Sequence, residues 1–258
     1  MPETIPSNIH VTNPSLTTGN STAMPQEAPY RTVQFGKVYD ELQVGQAVNI
    51  ATLGNIFVEI DAENLGLEEV TLENLEKGWE SQSEAFTKGL REHGIETDPF
   101  TVFKWYQIQR KVFRTLGIPN LNAGERNRRF VKKNDRVKLS ETKGFAMCSE
   151  YAILSAFIAQ KVGEPAHLII GAAVTGHDDQ WREAHAFVWV DGLNAVFDGV
   201  QAQSDGEYPA LMIPKTPVGF EALEAGMDIE GRRIGTNFTA HYGLQAGGFG
   251  VMSAHDSL

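Results

Sequence analysis

The stretch "CSEYAILSAFIAQKVG", Cys148 to Gly163, decides the fold class. Ala152, Leu154, Ala156, Phe157, Ile158 and Val162 make a helix here apolar over most of its circumference, which predicts a central, buried helix. Gly163 supplies its stop. Downstream the pattern changes. "HLIIGAAV" (167–174), "AHAFVWV" (184–190), "NAVFDGV" (194–200) and "ALMIP" (210–214) are short β-rich runs with turn signals between them.

Upstream, two more helices are expected. Over 71–92, Leu72, Leu75, Trp79, Phe86 and Leu90 recur at helical spacing, with Thr71 as cap and Gly94 as terminator. The next opens at Asp98-Pro99, carries Phe100, Phe103, Ile108, Val112 and Leu116, and stops at Gly117. Residues 31–60 mix β-branched and aromatic residues with glycine and suggest short strands. Helices first and strands after is an α+β order: N-terminal helices packed on an antiparallel sheet, with Cys148 at the start of the central helix.

The chain of 258 residues is long enough for one large domain or two small ones. Residues 1–30 are rich in Ser, Thr, Asn and Pro and cannot bury enough apolar surface to offset their ordering entropy, so they are expected to be disordered. Residues 31–258 then form one domain, with 31–123 an N-terminal extension and 124–258 the core. A formal net charge of -11 argues against nucleic-acid binding. No apolar run approaches the roughly 18–20 residues of a membrane span. A single cysteine excludes an internal disulfide and fits a reducing compartment. The N-terminus has neither a basic region nor an apolar core. The expected location is cytoplasmic, or exported without a secretory signal peptide.

Within this acidic chain, residues 124–138 ("GERNRRFVKKNDRVK") gather Arg126, Arg128, Arg129, Lys132, Lys133, Arg136 and Lys138. Such a run is either a solvated face paired with carboxylates elsewhere or a patch for an acidic partner.

Cys148 stands where a loop becomes a helix. The free amides and positive dipole end of a helix N-terminus stabilise a thiolate. A cysteine nucleophile needs a base, and the base an orienting group. Of seven histidines, His10 and His255 lie near the ends, His93 ends a helix and His177 sits in a polar loop. His167, His185 and His241 remain. His185 opens "HAFVWVDGLNAVFD", in which Asp191-Gly192 signals a two-residue hairpin turn. That turn sets His185 directly opposite Asp198, with Cβ atoms about 5 Å apart. A four-residue loop, 191 to 194, would shift the pairing by two and leave Asp198 on the diagonal.

"KLSETKGFAMCSEYAILSAFIAQKVGEPAHLIIG" (138–171) and "EAHAFVWVDGLNAVFD" (183–198) resemble the transglutaminase-like superfamily, papain-type cysteine enzymes with a Cys–His–Asp triad. Gly163-Glu164-Pro165-Ala166, Gly171, His185-Ala186-Phe187-Val188 and Asp198 carry the resemblance, which covers about residues 138–200. It implies Cys148 as nucleophile, His185 as base and Asp198 as orienting acid. It further implies acyl transfer on a protein or peptide substrate, as a protease, deamidase or transglutaminase. No cofactor or metal is expected; Asp178, Asp179 and Glu183 lack a calcium-loop template. Two features depart from the family pattern. Gly199 follows the aspartate where the family often has proline. No Trp or Gln lies between Ser140 and Cys148 to complete an oxyanion hole, which leaves the Cys148 amide, or Trp105 or Gln109 on the preceding helix. The competing reading is an inactive module of the same fold that holds an acidic partner on 124–138.

Overall fold

The computed structural model describes residues 34–51, 55–119, 123–174, 183–201 and 208–246. The expected disorder of 1–30 and the acidic positions Asp178 and Asp179 lie outside the described residues. By its contacts the chain divides into two units, 1–31 and 32–258. All described residues belong to the second.

In chain order this unit runs β1 (Gln34–Phe35), β2 (Lys37–Tyr39), β3 (Ala47–Asn49), β4 (Phe57–Glu59), α1 (Leu72–Glu92), α2 (Pro99–Leu116) and α3 (Ala123–Lys132). It continues β5 (Arg136–Lys138), α4 (Cys148–Lys161), β6 (Ala166–Val174), β7 (Glu183–Val190), β8 (Ala195–Phe197) and β9 (Leu211–Pro214). It closes with α5 (Phe220–Glu224), β10 (Ile229–Arg233), β11 (Thr239–Gly243) and β12 (Gln245–Ala246). The α+β class follows from this mixture.

The helix ends are set by local chemistry. Thr71 caps α1 by accepting from the Asn74 amide at 3.2 Å, and Asp98 caps α2 by accepting from the Thr101 amide at 3.0 Å. The α2 helix stops at Gly117, whose φ of +91 suits glycine. Every residue of α4 from Ser149 to Ala159 is buried. It is held between α2 on one side and β6 and β7 on the other.

The sheet is antiparallel, and it closes on itself, which the expected helix-on-sheet packing does not describe. Strands β6 to β11 pair in sequence, all antiparallel, and β11 returns to β6 through His241–Val174, Tyr242–Ala173 and Gly243–Ala172. Six strands thus close into a barrel, which removes most of the exposed edge. Closure depends on a close backbone approach: a Cβ at Gly171 would lie 2.4 Å from the Gly243 carbonyl oxygen. The rest of that β6 edge pairs with β2, through Leu168 to Ile170. Ile169, Phe187, Trp189, Val196, Met212, Ile229, Ala240 and Tyr242, drawn from all six strands, form the barrel interior, with Leu223 of α5 packed on it. The opposite parity of β6 to β8, including Ile170, Val188 and Phe197, packs in the cluster that holds α4.

The β7–β8 register is the four-residue alternative. Val190 pairs with Ala195 and Trp189 with Val196. Residues 191–193 make a short 3-10 turn, closed by the Asn194 amide on the Asp191 carbonyl at 3.1 Å, with Asn194 left-handed at φ 44. The two-residue Asp-Gly turn is therefore not formed.

The basic stretch 124–138 is α3, then Asn134 and Asp135 at positive φ (51 and 58), then β5, which adds parallel to β4 in a three-stranded sheet with β3. No helix among the described residues is long and apolar enough to cross a membrane.

Candidate active site

Cys148 is the first residue of α4. Met147 arrives in extended conformation, φ -121 and ψ -168, and its amide donates to Glu150 Oε2 at 2.8 Å. This reciprocal bond of a capping box fixes how the chain enters the helix. Cys148 therefore stands at the positive end of the helix dipole, where first-turn amides have no carbonyl four residues back.

His185 comes from β7 and Asp198 from the residue just past β8. His185 Nε2 lies 2.8 Å from Asp198 Oδ2, with the carboxylate almost wholly buried. The His185 ring and the Ala186 amide both act on the thiol, each favouring its ionised form. With Nε2 taken by the carboxylate, Nδ1 is the nitrogen left for sulfur. By the observed register Asp198 stands across from Phe187, on the diagonal from His185. The 2.8 Å contact survives because the chain leaves the ladder after Phe197. Asp198 instead anchors its own turn, its amide donating to the Ala210 carbonyl at 3.0 Å. Gln109 of α2 braces the same point, its Oε1 accepting from the Ala210 amide at 2.7 Å.

The electrostatics separate the charges. Burial pushes the Cys148 thiol up, but the neighbouring His185 charge and hydrogen bond, the Ala186 amide and the Arg126 charge together hold it below the usual thiol range. Burial also works against a charged His185, yet Asp198 and the sulfur raise it well above the ordinary imidazole value. Both shifts favour the thiolate–imidazolium form of the pair, the form in which a cysteine is nucleophilic.

Two partners of the site could not be placed there from the local sequence. Tyr242 of β11 donates its hydroxyl to Asp198 Oδ2 at 2.9 Å, so this oxygen serves both His185 and Tyr242. Only barrel closure brings Tyr242 there. The second is Arg126 of α3. Its guanidinium grips Glu150 at 2.8 to 3.2 Å and donates to Ser149 Oγ at 2.9 Å. Glu150 has no exposed side-chain surface and Arg126 14%. A signal for Arg126 was present in the basic run of an acidic chain. Nothing local says that it meets Glu150.

The other sequence candidates go elsewhere. His167 lies between Asp40 and Asp191, at 2.8 and 3.0 Å, and His241 is half-buried, 3.9 Å from Glu230. His10, His177 and His255 lie outside the described residues. Trp105 and Gln109 are both buried in the core, and Trp105 packs on Phe197 at 4.8 Å. Among the described residues no group of three or more His, Cys, Asp or Glu is placed to hold a metal ion.

Comparison of the chain with family models, with curated proteins and with solved structures finds no match.

Proposed function

We propose that the protein is a cysteine-dependent acyl-transfer enzyme of the transglutaminase-like kind, acting on peptide or glutamine carboxamide bonds. The observation that carries this reading is the grouping itself: a helix-start thiol under the influence of a histidine whose Nε2 sits 2.8 Å from a buried aspartate. The Cys148 thiolate attacks the carbonyl carbon, and the electron pair of the C=O moves to oxygen. The Cys148 amide at the start of α4 is the donor this reading offers to the developing oxyanion. Collapse expels the nitrogen, which takes the proton from His185, and leaves a thioester on Cys148. Water or an amine, losing its proton to His185, then attacks the thioester and frees the thiol. Water gives proteolysis or deamidation and an amine gives cross-linking. Asp198 keeps the imidazole in orientation and stabilises its charged form throughout.

The competing reading, an inactive module binding an acidic partner through 124–138, has less support. Arg126 is engaged with Glu150, Arg128 and Arg129 with Glu125, and Lys133 with Glu141. These ion pairs are what a solvated, internally balanced face contains.

Mass spectrometry of candidate proteins incubated with wild type and with Cys148→Ala, with and without a primary amine, tests the proposal. A backbone cut, a mass gain of about one dalton or an amine adduct, present only with Cys148, is the expected result and identifies the reaction. Identical product spectra for the two proteins, across the candidate set, would overturn it.

A further inference from the structure

The ion pair at the start of α4 is not part of the thiol–imidazole–carboxylate relay, and burying it is costly. Glu150 sits in the first turn, fully buried, and its carboxylate takes three kinds of donor: the Arg126 guanidinium, the Met147 amide and the Ser149 hydroxyl. The Met147 bond fixes the residue immediately before Cys148, and with it the direction in which Sγ leaves the backbone. The same carboxylate is a negative charge two residues from the thiolate, and a like charge opposes ionisation. Arg126 answers this. It reaches across from α3 with a bidentate fork that lysine cannot reproduce, and its guanidinium lies 4.7 Å from the Phe130 ring.

We infer that Arg126 is a positioning residue for Cys148: it cancels the charge of Glu150, so that Glu150 can fix the Met147–Cys148 backbone without opposing the thiolate. The inference rests on the reading of Cys148 as a thiolate nucleophile. Consistently, the Arg126 charge is one of those holding the thiol low, and the sulfur in turn raises Arg126.

The test is the pH profile of Cys148 alkylation by iodoacetamide, which needs no substrate, in wild type, Arg126→Gln, Arg126→Lys, Glu150→Gln and the double variant Arg126→Gln/Glu150→Gln, each checked for folding by circular dichroism. Arg126→Gln should move the acid limb up by about one pH unit, a roughly tenfold slower reaction well below the midpoint. Arg126→Lys should recover most of that shift. Glu150→Gln should move the limb down, and the double variant should lie between the two singles. Should Arg126→Gln fail to fold, the comparison of Glu150→Gln with the double variant decides, since neither buries an uncompensated carboxylate. Superposed profiles in that pair, or in Arg126→Gln and wild type, would overturn the inference. A wild type that alkylates only in the ordinary thiol range would instead overturn the nucleophile reading, whatever the variants do.

Discussion

Two of the barrel's histidines, on the neighbouring strands β6 and β7, differ in one respect. His167 on β6 has both ring nitrogens against carboxylates, Nδ1 on Asp40 and Nε2 on Asp191, and its ring stacks on Phe220 at 4.2 Å. It joins the chain after β2, the strand β6 and the β7–β8 turn, and it is a clamp. His185 on β7 has one nitrogen on a carboxylate and the other turned to sulfur. A carboxylate on each side leaves a histidine no site to exchange a proton with a nucleophile. A carboxylate on one side orients the ring and leaves the other nitrogen for chemistry.

This comparison is open to direct attack. The largest effect should come from His185→Ala, which should slow iodoacetamide labelling of Cys148 at about pH 6 by roughly a hundredfold or more. His167→Ala should leave that rate within about twofold while lowering the melting temperature. Equal slowing by both would erase the distinction.

The aspartates should divide the same way. Asp198 is almost wholly buried, so Asp198→Asn strands a buried charged ring and should cost about 3–5 kcal/mol in denaturant unfolding. Asp191 is 39% exposed and shares His167 with Asp40, so Asp191→Asn should cost no more than about 1 kcal/mol. Losses of the same size at both positions would show that burial does not separate the two pairs.

The pH dependence follows from the two shifts at the site. The raised His185 contributes stability that is fully present below about pH 6.5, its unfolded value, and that is lost as pH rises through the folded value. The lowered Cys148 contributes stability present above about pH 8.5, its unfolded value, and lost as pH falls through the folded one. Both shifts widen the pH range in which the thiolate–imidazolium pair is favoured. Alkylation in wild type should therefore stay fast below the usual thiol range, and in His185→Ala the acid limb should return toward about pH 8.5. An unmoved limb would place the cause of thiolate stabilisation elsewhere.

The smallest effect belongs to Tyr242→Phe. It removes one hydrogen bond to Asp198 and leaves those from His185 and the Val200 amide. A loss of about 1 kcal/mol and a few-fold slower labelling are expected. An effect as large as that of Asp198→Asn would make Tyr242 a principal holder of the relay rather than an accessory.

Much of this molecule was legible one residue at a time. Thr71, Asp98, Gly117 and Gly163 mark helix ends because caps and left-handed glycines act within a few residues. The burial of α4 was legible because apolar residues occupy nearly all of its circumference. The turn chemistry of Asp191-Gly192 misled: the sequence reading favoured a two-residue turn, and the chain makes a four-residue one. The Asp191 side chain is drawn to His167, and its amide to the Pro165 carbonyl at 3.3 Å. Tertiary partners outweighed a local turn preference. The His185–Asp198 contact tolerated the shift because the diagonal stays within reach when the carboxylate sits on a turn rather than in a ladder.

By itself the sequence determined α1, α2, α4, the strands β6 to β9 and the short-range relation of His185 to Asp198, since propensity, capping and hairpin geometry act over at most some fifteen residues. Tertiary structure alone decided that β11 closes on β6 and delivers Tyr242 to Asp198, and that α3 lays Arg126 against Glu150. Both are contacts between segments with no local pattern in common. Loop closure and burial select them, and those energies exist only once the chain has folded.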